Sequence, residues 1–317
     1  MIKLGYKLSS EEHGPTELVG FAGRAEEAGF SFAAVSDHFH PWIDRQGHSP
    51  FVWAVLGGVA QVTERLEILT GVTCPTIRIH PAIVAQAAAT AAVMLPGRFT
   101  LGVGSGENLN EHVVGARWPE LDVRLEMLEE AMEVLRKLWS GGLQSFHGRH
   151  YTVENARLFD LPDASVPIAV AASGAKSAAL AGRLGDAFIG LAPEEDLLEK
   201  FAEAGGRGKP RYAEINVCYA EDDAEARKTA FEWWPVTGVK GQLMQDLPLP
   251  SHFEAAAEMI HEEDALETVV TGADPEEHLA EIRKFADAGY DRIWVHQIGP
   301  DQEGFFNFYE KQVLPKI

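Results

Sequence analysis

The sequence has few basic residues: 27 lysines and arginines stand against 48 aspartates and glutamates, giving a formal net charge of −21. A field of that sign repels phosphate backbones and anionic lipid surfaces, so nucleic acids and membranes are not expected as partners. An anionic ligand must then be held by local donors, such as backbone amides, and not by the overall field.

Cysteine is also scarce, and the two cysteines, Cys74 and Cys218, both lie in apolar, strand-like runs. This usage excludes a disulfide framework, and no metal-ligand spacing such as HExxH occurs among the 12 histidines. No stretch approaches about 18 uninterrupted apolar residues, the length that a membrane helix needs. The first residues enter a strand pattern without a signal-peptide core. We therefore expect a cytoplasmic protein with no metal site.

What the sequence does contain is a regular alternation of short apolar runs with amphipathic helical stretches. This alternation predicts a parallel sheet with right-handed crossovers, and eight strands favour a closed TIM barrel over an open sheet. We expect a single domain over residues 1–317, with loop insertions at about 105–120, 140–166 and 235–265. The predicted strands are 2–6, a run beginning at 32, 66–72, 99–104, 167–172, 186–190, 213–219 and 291–296. The predicted helices include 15–28, 50–62, 81–94, 121–139, 194–204, 222–234, 253–263, 274–288 and 305–313.

The most polar strand end follows the second predicted strand, where an acid, two imidazoles, a proline and an indole succeed one another. In an α/β barrel the carboxyl ends of the strands carry the active site. Asp37, His38 and Trp42 occupy such an end. Our hypothesis is an active-site edge with His38 as the acid–base group; the alternative is a loop that happens to hold polar residues.

A glycine-rich loop, residues 102–112, follows the fourth predicted strand. It superficially suggests a dinucleotide fingerprint, but Glu107 falls in the turn that phosphate should approach, and no helix clearly starts there. We interpret it as a loop whose glycines let the backbone approach a flat ligand closely. Glu107, as a proton donor, and Asn110 are the functional candidates. The alternative is a turn that carries a solvated glutamate.

Three further strand ends carry weaker signals. Residues 171–174 lead into a predicted helix, and such a helix start can bind an anion, although a tight turn explains the same residues. Gly71 permits unusual backbone geometry, or belongs to a plain turn around Pro75. His296 ends the last strand and either lines the substrate pocket or simply finishes the strand.

Taken together, Ser36–Trp42, Pro75–Thr76, Gly102–Glu111 and Gly299–Gln302 resemble one group of proteins. This group is the coenzyme F420-dependent glucose-6-phosphate dehydrogenases of the luciferase-like monooxygenase superfamily, and the resemblance runs from about residue 3 to 315. It implies an eight-stranded α/β barrel, usually a homodimer. It also implies coenzyme F420, a deazaflavin that accepts hydride at C5 from a carbinol carbon of an alcohol or sugar.

The resemblance also implies a role for individual residues. His38 matches the general base that acts on the substrate hydroxyl, and Trp42 matches the tryptophan that shapes the pocket and shields developing charge. Glu107 matches the acid that protonates the ring near N1. Gly71 and Val72 fall where the family has a non-prolyl cis peptide against the ring. The cofactor-contacting positions are Asp37, Gly71, Val72, Cys74, Glu107 and Asn110, with Ala171, Ala172, Ser173 and Gly174 as the phosphate cradle.

The sequence departs from this group where the group holds its sugar phosphate with two lysines and an arginine. These positions fall within residues 191–195, near Thr268, and within 240–244, where only Lys240 can substitute. We therefore predict that glucose 6-phosphate is not preferred, and that a neutral alcohol or unphosphorylated sugar is. Two alternatives stay open: a flavin mononucleotide-dependent luciferase-like monooxygenase, and a non-catalytic relative that binds the cofactor.

Overall fold

The computed structural model describes residues 2–317. Eight parallel strands each pair with the next strand along the chain, and the eighth pairs with the first, so the sheet closes. The predicted TIM barrel is confirmed, and all eight predicted strands are present. The barrel strands are β1 (Lys3–Leu8), β2 (Phe32–Val35), β3 (Glu67–Thr70), β4 (Phe99–Val103), β5 (Ile168–Ala171), β6 (Ala187–Gly190), β7 (Arg211–Cys218) and β8 (Arg292–Gln297).

Helices cover the outside of the barrel and begin and end at the residues that favour such boundaries. Gly29 and Gly289 end two helices in the left-handed conformation that glycine adopts without strain. Asp274 caps the start of the helix that Gly289 ends, since its side chain accepts the backbone N–H of Glu276 at 2.9 Å. The helices are α1 (Pro15–Ala28), α2 (Val52–Val62), α3 (Pro81–Met94), α4 (Asn108–Glu111), α5 (Leu121–Trp139), α6 (Ala175–Leu184), α7 (Glu195–Phe201), α8 (Asp223–Trp233), α9 (Leu243–Asp246), α10 (Pro250–Ala257), α11 (Glu262–Ala265), α12 (Pro275–Ala288) and α13 (Gln302–Phe308).

The stretch 140–166 was predicted to be irregular, but it contains an antiparallel hairpin of Gln144–His147 and Thr152–Ala156. Its turn is fastened to α5 because the carboxylate of Glu130 accepts backbone N–H groups of residues 149–151 at 2.6 to 3.1 Å. Strands of four and five residues leave too short a pattern to recognise in the sequence.

The stretch 235–268 also differs from its prediction. The predicted loop insertion at about 235–265 contains α9 and the start of α10, where Pro250 occupies the first turn. The predicted helix 253–263 is two helices, α10 and α11. A short outer strand, Val269–Thr271, was not predicted; it pairs with the last residues of β7, beyond the part that pairs with β6. This pairing holds the insertion against the barrel mouth.

The barrel interior is apolar toward the N-terminal ends of the strands and charged toward their C-terminal ends. Gly5 makes room for the ring of Phe32, because a Cβ at that glycine would lie 2.5 Å from the ring. None of the helices within residues 2–317 is long and apolar enough to cross a membrane. The buried apolar interior consists of Phe32, Ala34, Leu69, Ala169, Ala187, Ile189, Tyr212 and Trp294.

Candidate active site

His38 lies just beyond β2 at the C-terminal mouth of the barrel, and only 11% of its side chain is exposed. Its Nδ1 is 3.2 Å from the carbonyl oxygen of His40, which can only accept, so Nδ1 carries the proton. Its Nε2 lies 3.5 Å from Oε1 of Glu11. The Trp42 ring meets the imidazole edge-on at 5.2 Å. The imidazole is therefore oriented so that a proton taken up at Nε2 faces a carboxylate.

Glu11 follows β1 and is held in place by hydroxyl groups. Its Oε2 accepts from Oγ of Ser36 at 2.6 Å and from Oγ of Ser9 at 3.1 Å. Burial alone would raise the pKa of Glu11, but the charges of His38 and Lys7 and the Ser36 bond outweigh burial and lower the pKa to about 2. Glu11 is therefore an anion at neutral pH and places a negative charge beside the imidazole of His38.

A buried layer of charge lies beneath this pair. Nζ of Lys7 is 3.1 Å from Oε1 of Glu214, whose Oε2 accepts the indole N–H of Trp294 at 2.7 Å. The same ammonium lies 5.4 Å from the centre of the Trp234 ring. Lys7 is thus paired within the barrel and also contributes to the low pKa of Glu11.

His296 belongs to this buried layer and does not line an open pocket, because its side chain is fully buried. Its Nε2 lies 2.7 Å from Oε2 of Glu12, and its Nδ1 lies 3.0 Å from Oδ1 of Asn216. Oε1 of Glu12 accepts the N–H of Gly299 at 2.9 Å. This set of bonds joins the segment after β1 to the ends of β7 and β8.

Asp37 has a protein partner on each carboxylate oxygen. Its Oδ1 accepts from Nη2 of Arg78 at 2.8 Å, and its Oδ2 accepts from Oγ1 of Thr73 at 2.8 Å. The carboxylate is buried, with 1% of the side chain exposed. Asp37, which the resemblance assigns to the cofactor, therefore fixes the ends of β2 and β3 relative to each other.

The glycine-rich loop contains a short helix that the sequence reading missed. Glu107 is the residue before α4 and is half-buried. Oδ1 of Asn110 accepts the backbone N–H of Phe39 at 2.8 Å and that of His40 at 3.2 Å. The side-chain nitrogen of Asn110 is buried and has no partner within the described chain. The loop of Glu107 is thus fastened to the segment of His38, and an unused donor remains at the site.

The ends of β3, β4 and β5 converge on a narrow surface. The Gly71–Val72 peptide bond is cis, as the resemblance implies. A Cβ at Gly104 would lie 2.8 Å from Cγ2 of Val72, 3.8 Å from Cβ of Ala171 and 4.0 Å from Sγ of Cys74. Burial, followed by the charge of Glu107, raises the pKa of the Cys74 thiol. These residues form a close-packed, neutral wall that suits a flat ring.

The predicted anion cradle lies at the start of α6. Gly174 precedes the helix, and Ser173 is exposed beside it. A Cβ at Gly174 would meet nothing within 4 Å, so the space in front of the helix is open. The amide of Ala172 is already bonded to the carbonyl oxygen of Ile189 at 2.9 Å. The first-turn amides of α6 are therefore the donors that suit an anion.

Sequence reasoning missed several charged groups of the site. Glu11 had a usable signal, because it follows β1 at the mouth of the barrel. The others are recognisable only from their partners in space. Lys240, the one cation predicted near the substrate, is 70% exposed and pairs with Glu267 at 3.0 Å. The missed residues are Lys7, Glu11, Arg78, Glu111 and Glu214.

Comparison with known proteins agrees with this architecture. The sequence profile of the luciferase-like monooxygenase family matches residues 2–292. An F420-dependent glucose-6-phosphate dehydrogenase from Rhodococcus erythropolis is 37% identical, and the match covers 100% of this chain and 98% of the relative. One from Microbacterium testaceum is 36% identical, with 100% and 97% covered.

Solved structures also resemble this chain in fold. An F420-dependent secondary alcohol dehydrogenase in complex with an F420–acetone adduct superposes with a TM-score of 0.92 at 31% identity, covering 99% of this chain and 98% of that one. The coenzyme F420-dependent tetrahydromethanopterin reductase of Methanopyrus kandleri shares the fold with a TM-score of 0.81 at 20% identity, with 99% of each chain covered. The chain therefore belongs to the luciferase-like monooxygenase family.

Proposed function

We propose that this protein is a coenzyme F420-dependent oxidoreductase that oxidises an alcohol or sugar hemiacetal, or runs the reverse reaction. One observation carries the proposal: the oriented imidazole of His38 faces the ionised Glu11, on a segment that Asn110 fastens to the loop of Glu107. An imidazole with a neighbouring carboxylate at the mouth of a barrel suits the oxidation of an alcohol, in which the substrate loses a proton from its hydroxyl group and a hydride from its carbinol carbon.

The residues fit the cofactor. When bound, the deazaflavin supplies C5 as the hydride acceptor. The wall of Val72, Gly104 and Ala171 carries no side chain at Gly104, where a Cβ would lie 2.8 Å from Val72, and the buried Nδ2 of Asn110 is a donor that would suit a ring carbonyl. The start of α6 supplies backbone amides for its phosphate. The relatives named above as F420-dependent support this cofactor.

In this proposal the protein manages protons around the hydride transfer. Nε2 of His38 accepts the proton of the substrate hydroxyl, and Glu11 stabilises the resulting imidazolium. Trp42 covers one edge of the imidazole and limits access of water to the developing charge. By the resemblance, Glu107 would be the group that supplies a proton at the ring edge near N1.

We propose a neutral alcohol or an unphosphorylated sugar as the substrate. Leu191, which follows β6, is 70% exposed and is succeeded by Glu194 and Glu195, while Lys240 is paired with Glu267. A phosphate dianion would meet acids and an apolar side chain where it needs cations. Steady-state kinetics with propan-2-ol, glucose and glucose 6-phosphate tests this; efficient turnover of glucose 6-phosphate would refute it.

Cofactor choice has its own test. The purified protein should quench F420 fluorescence on titration and should bind flavin mononucleotide far more weakly. Tight binding of flavin with no binding of F420 would favour the monooxygenase alternative. Binding of F420 with no oxidation of any alcohol would favour a non-catalytic relative.

We also propose a homodimer formed through α2 and α3. A groove of about 300 Å³ lies between these helices. Phe51 and Ile83 on its rim are 57% and 56% exposed, an apolar surface of the kind that partners cover. Light scattering should report a dimer for wild type and a monomer for Ile83→Glu; Leu143→Glu, at an exposed apolar residue away from this groove, is the control. The cytoplasmic location stays a prediction, which cell fractionation tests.

A further inference from the structure

Arg78 lies between β3 and α3 and binds two segments that carry site residues. Its Nη2 donates to Oδ1 of Asp37 at 2.8 Å and to the carbonyl oxygen of Asp37 at 3.1 Å. Its backbone N–H donates to Oε2 of Glu111 at 2.7 Å. Asp37 precedes His38, and the backbone N–H of Glu111 bonds to the carbonyl oxygen of Glu107 at 3.1 Å. One arginine therefore connects the segment of the base to the segment of the acid.

The contact between Arg78 and Glu111 is incomplete. Nε of Arg78 lies 3.7 Å from Oε1 of Glu111, and neither atom has a hydrogen-bond partner within residues 2–317. The two side chains are 7% and 0% exposed. Buried polar atoms without partners are uncommon in folded proteins. A donor and an acceptor that face each other at this distance form a bond when the loop moves by less than about 1 Å.

The surroundings of Glu111 determine its charge. Burial is the main cause that raises the pKa of Glu111 to about 7; the backbone N–H and charge of Arg78 oppose the rise, and the other carboxylates add to it. Glu111 therefore changes charge within the range in which enzymes are assayed. The titratable or charged groups that face it from the neighbouring elements are Arg78, Asp37, Cys74, Glu107 and Tyr151.

We propose that Arg78 and Glu111 are a positioning pair that sets the separation between His38 and Glu107. The proposal rests on the function proposed above, and neither member of the pair touches the reacting atoms. When Glu111 is ionised, its Oε1 attracts the Nε–H of Arg78, and the glycine-rich loop moves closer to the segment of His38. When Glu111 is protonated, that attraction is lost and the gap stays open.

Glu111→Gln tests the pair because the amide keeps an acceptor for the Arg78 N–H but cannot ionise. The measurement is kcat for both proteins at saturating F420 and alcohol from pH 5.5 to 8.5. We expect the ratio of wild type to variant to rise from about 1 to about 10–100, with its midpoint near pH 7, since misplacement by about 1 Å costs up to about 100-fold. A ratio that stays constant across this range overturns the proposal, because a merely structural effect has no such midpoint.

Arg78→Lys is the second variant, since it keeps the charge but loses the guanidinium, whose Nη2 bonds Asp37 and whose Nε faces Glu111. We expect kcat to fall about tenfold or more while the substrate KM changes less than about threefold. Arg98→Lys is the matched control: Arg98 binds the carbonyl oxygens of Thr63 and Leu66 at 3.1 and 3.0 Å, away from the site, and its replacement should leave kcat unchanged.

The outcomes separate this proposal from the proposed function. If wild type neither binds F420 nor oxidises an alcohol, the function fails and the pair loses its role with it. If wild type is active and the pH ratio is flat, only the positioning pair fails. If Arg78→Lys does not fold, the pH ratio for Glu111→Gln still decides.

Discussion

Replacing Glu11 with glutamine tests how much the reaction depends on a charge beside His38. The substitution keeps the size of the side chain and an oxygen for the hydroxyl of Ser36, which bonds Oε2 of Glu11 at 2.6 Å. It removes the negative charge that lies 3.5 Å from Nε2 of the imidazole. The imidazolium that forms during alcohol oxidation then loses its counter-ion.

The geometry sets the size of the effect. At 3.5 Å and an effective dielectric constant of about 20, a complete imidazolium–carboxylate pair is worth about 5 kcal/mol. A transition state in which about half of the charge has reached His38 loses about 2 kcal/mol, so kcat should fall roughly 30- to 50-fold. Cofactor affinity should change little, because Glu11 bonds to serines and to His38.

The assay follows the absorbance of oxidised F420 at saturating alcohol for wild type and Glu11→Gln. Glu12→Gln is the matched control, because Glu12 pairs with His296 in the buried layer and not with His38. We expect the control to lower the midpoint of thermal unfolding while kcat changes less than about threefold. If Glu11→Gln turned over at the wild-type rate, the carboxylate would have no part in stabilising the imidazolium.

Three further changes have expected outcomes. Gly104→Ala places a Cβ 2.8 Å from Val72, an overpacking cost of about 1–3 kcal/mol. Fluorescence titration should therefore show F420 binding about tenfold more weakly. Gly20→Ala is the control, because a Cβ at Gly20 has open space around it, and F420 binding should not change. Asn110→Leu removes the acceptor of two backbone N–H groups, so urea unfolding should show a loss of about 2–4 kcal/mol; an unchanged midpoint would contradict this. Burial lowers the pKa of His278 from 6.5 to about 4, so the unfolded chain takes up a proton at this residue at a higher pH than the folded protein does. The contribution of His278 to the free energy of unfolding is therefore complete above pH 6.5 and falls by about 3 kcal/mol toward pH 4, measured for wild type relative to His278→Gln. A difference between the two proteins that stays level across this window would count against this prediction.

The barrel could be predicted from the sequence because several of its strands are short apolar runs, such as Phe32–Val35 and Ala187–Gly190, whose residues are all buried, and because these runs alternate with helical patterns. The hairpin of residues 144–156 and the strand Val269–Thr271 could not, because three to five residues carry too little periodicity. The break between α10 and α11 was also missed, because apolar residues continue through Met259 and Ile260 although α10 ends at Ala257.

The residues of the site also differ in whether the sequence could predict them. The placement of His38, Trp42 and Glu107 beyond strand ends at the barrel mouth was predictable from the strand pattern, and the roles that the resemblance implies for them stay predictions. Lys7 was not, because its partner Glu214 is 207 residues away in the sequence. A lysine inside a strand signals nothing until the barrel places an acid opposite it. The charged layer of the barrel mouth is therefore a property of the closed sheet and not of any local motif.

The most direct test of the central claim compares wild type with His38→Ala in two measurements on the same samples: F420 binding by fluorescence quenching, and loss of oxidised F420 absorbance with a neutral alcohol. We predict that both proteins bind F420 with dissociation constants within about threefold, and that turnover by the variant falls by about 100- to 10,000-fold, the range for loss of a general base. A variant that retains wild-type turnover would show that the imidazole does not accept the substrate proton.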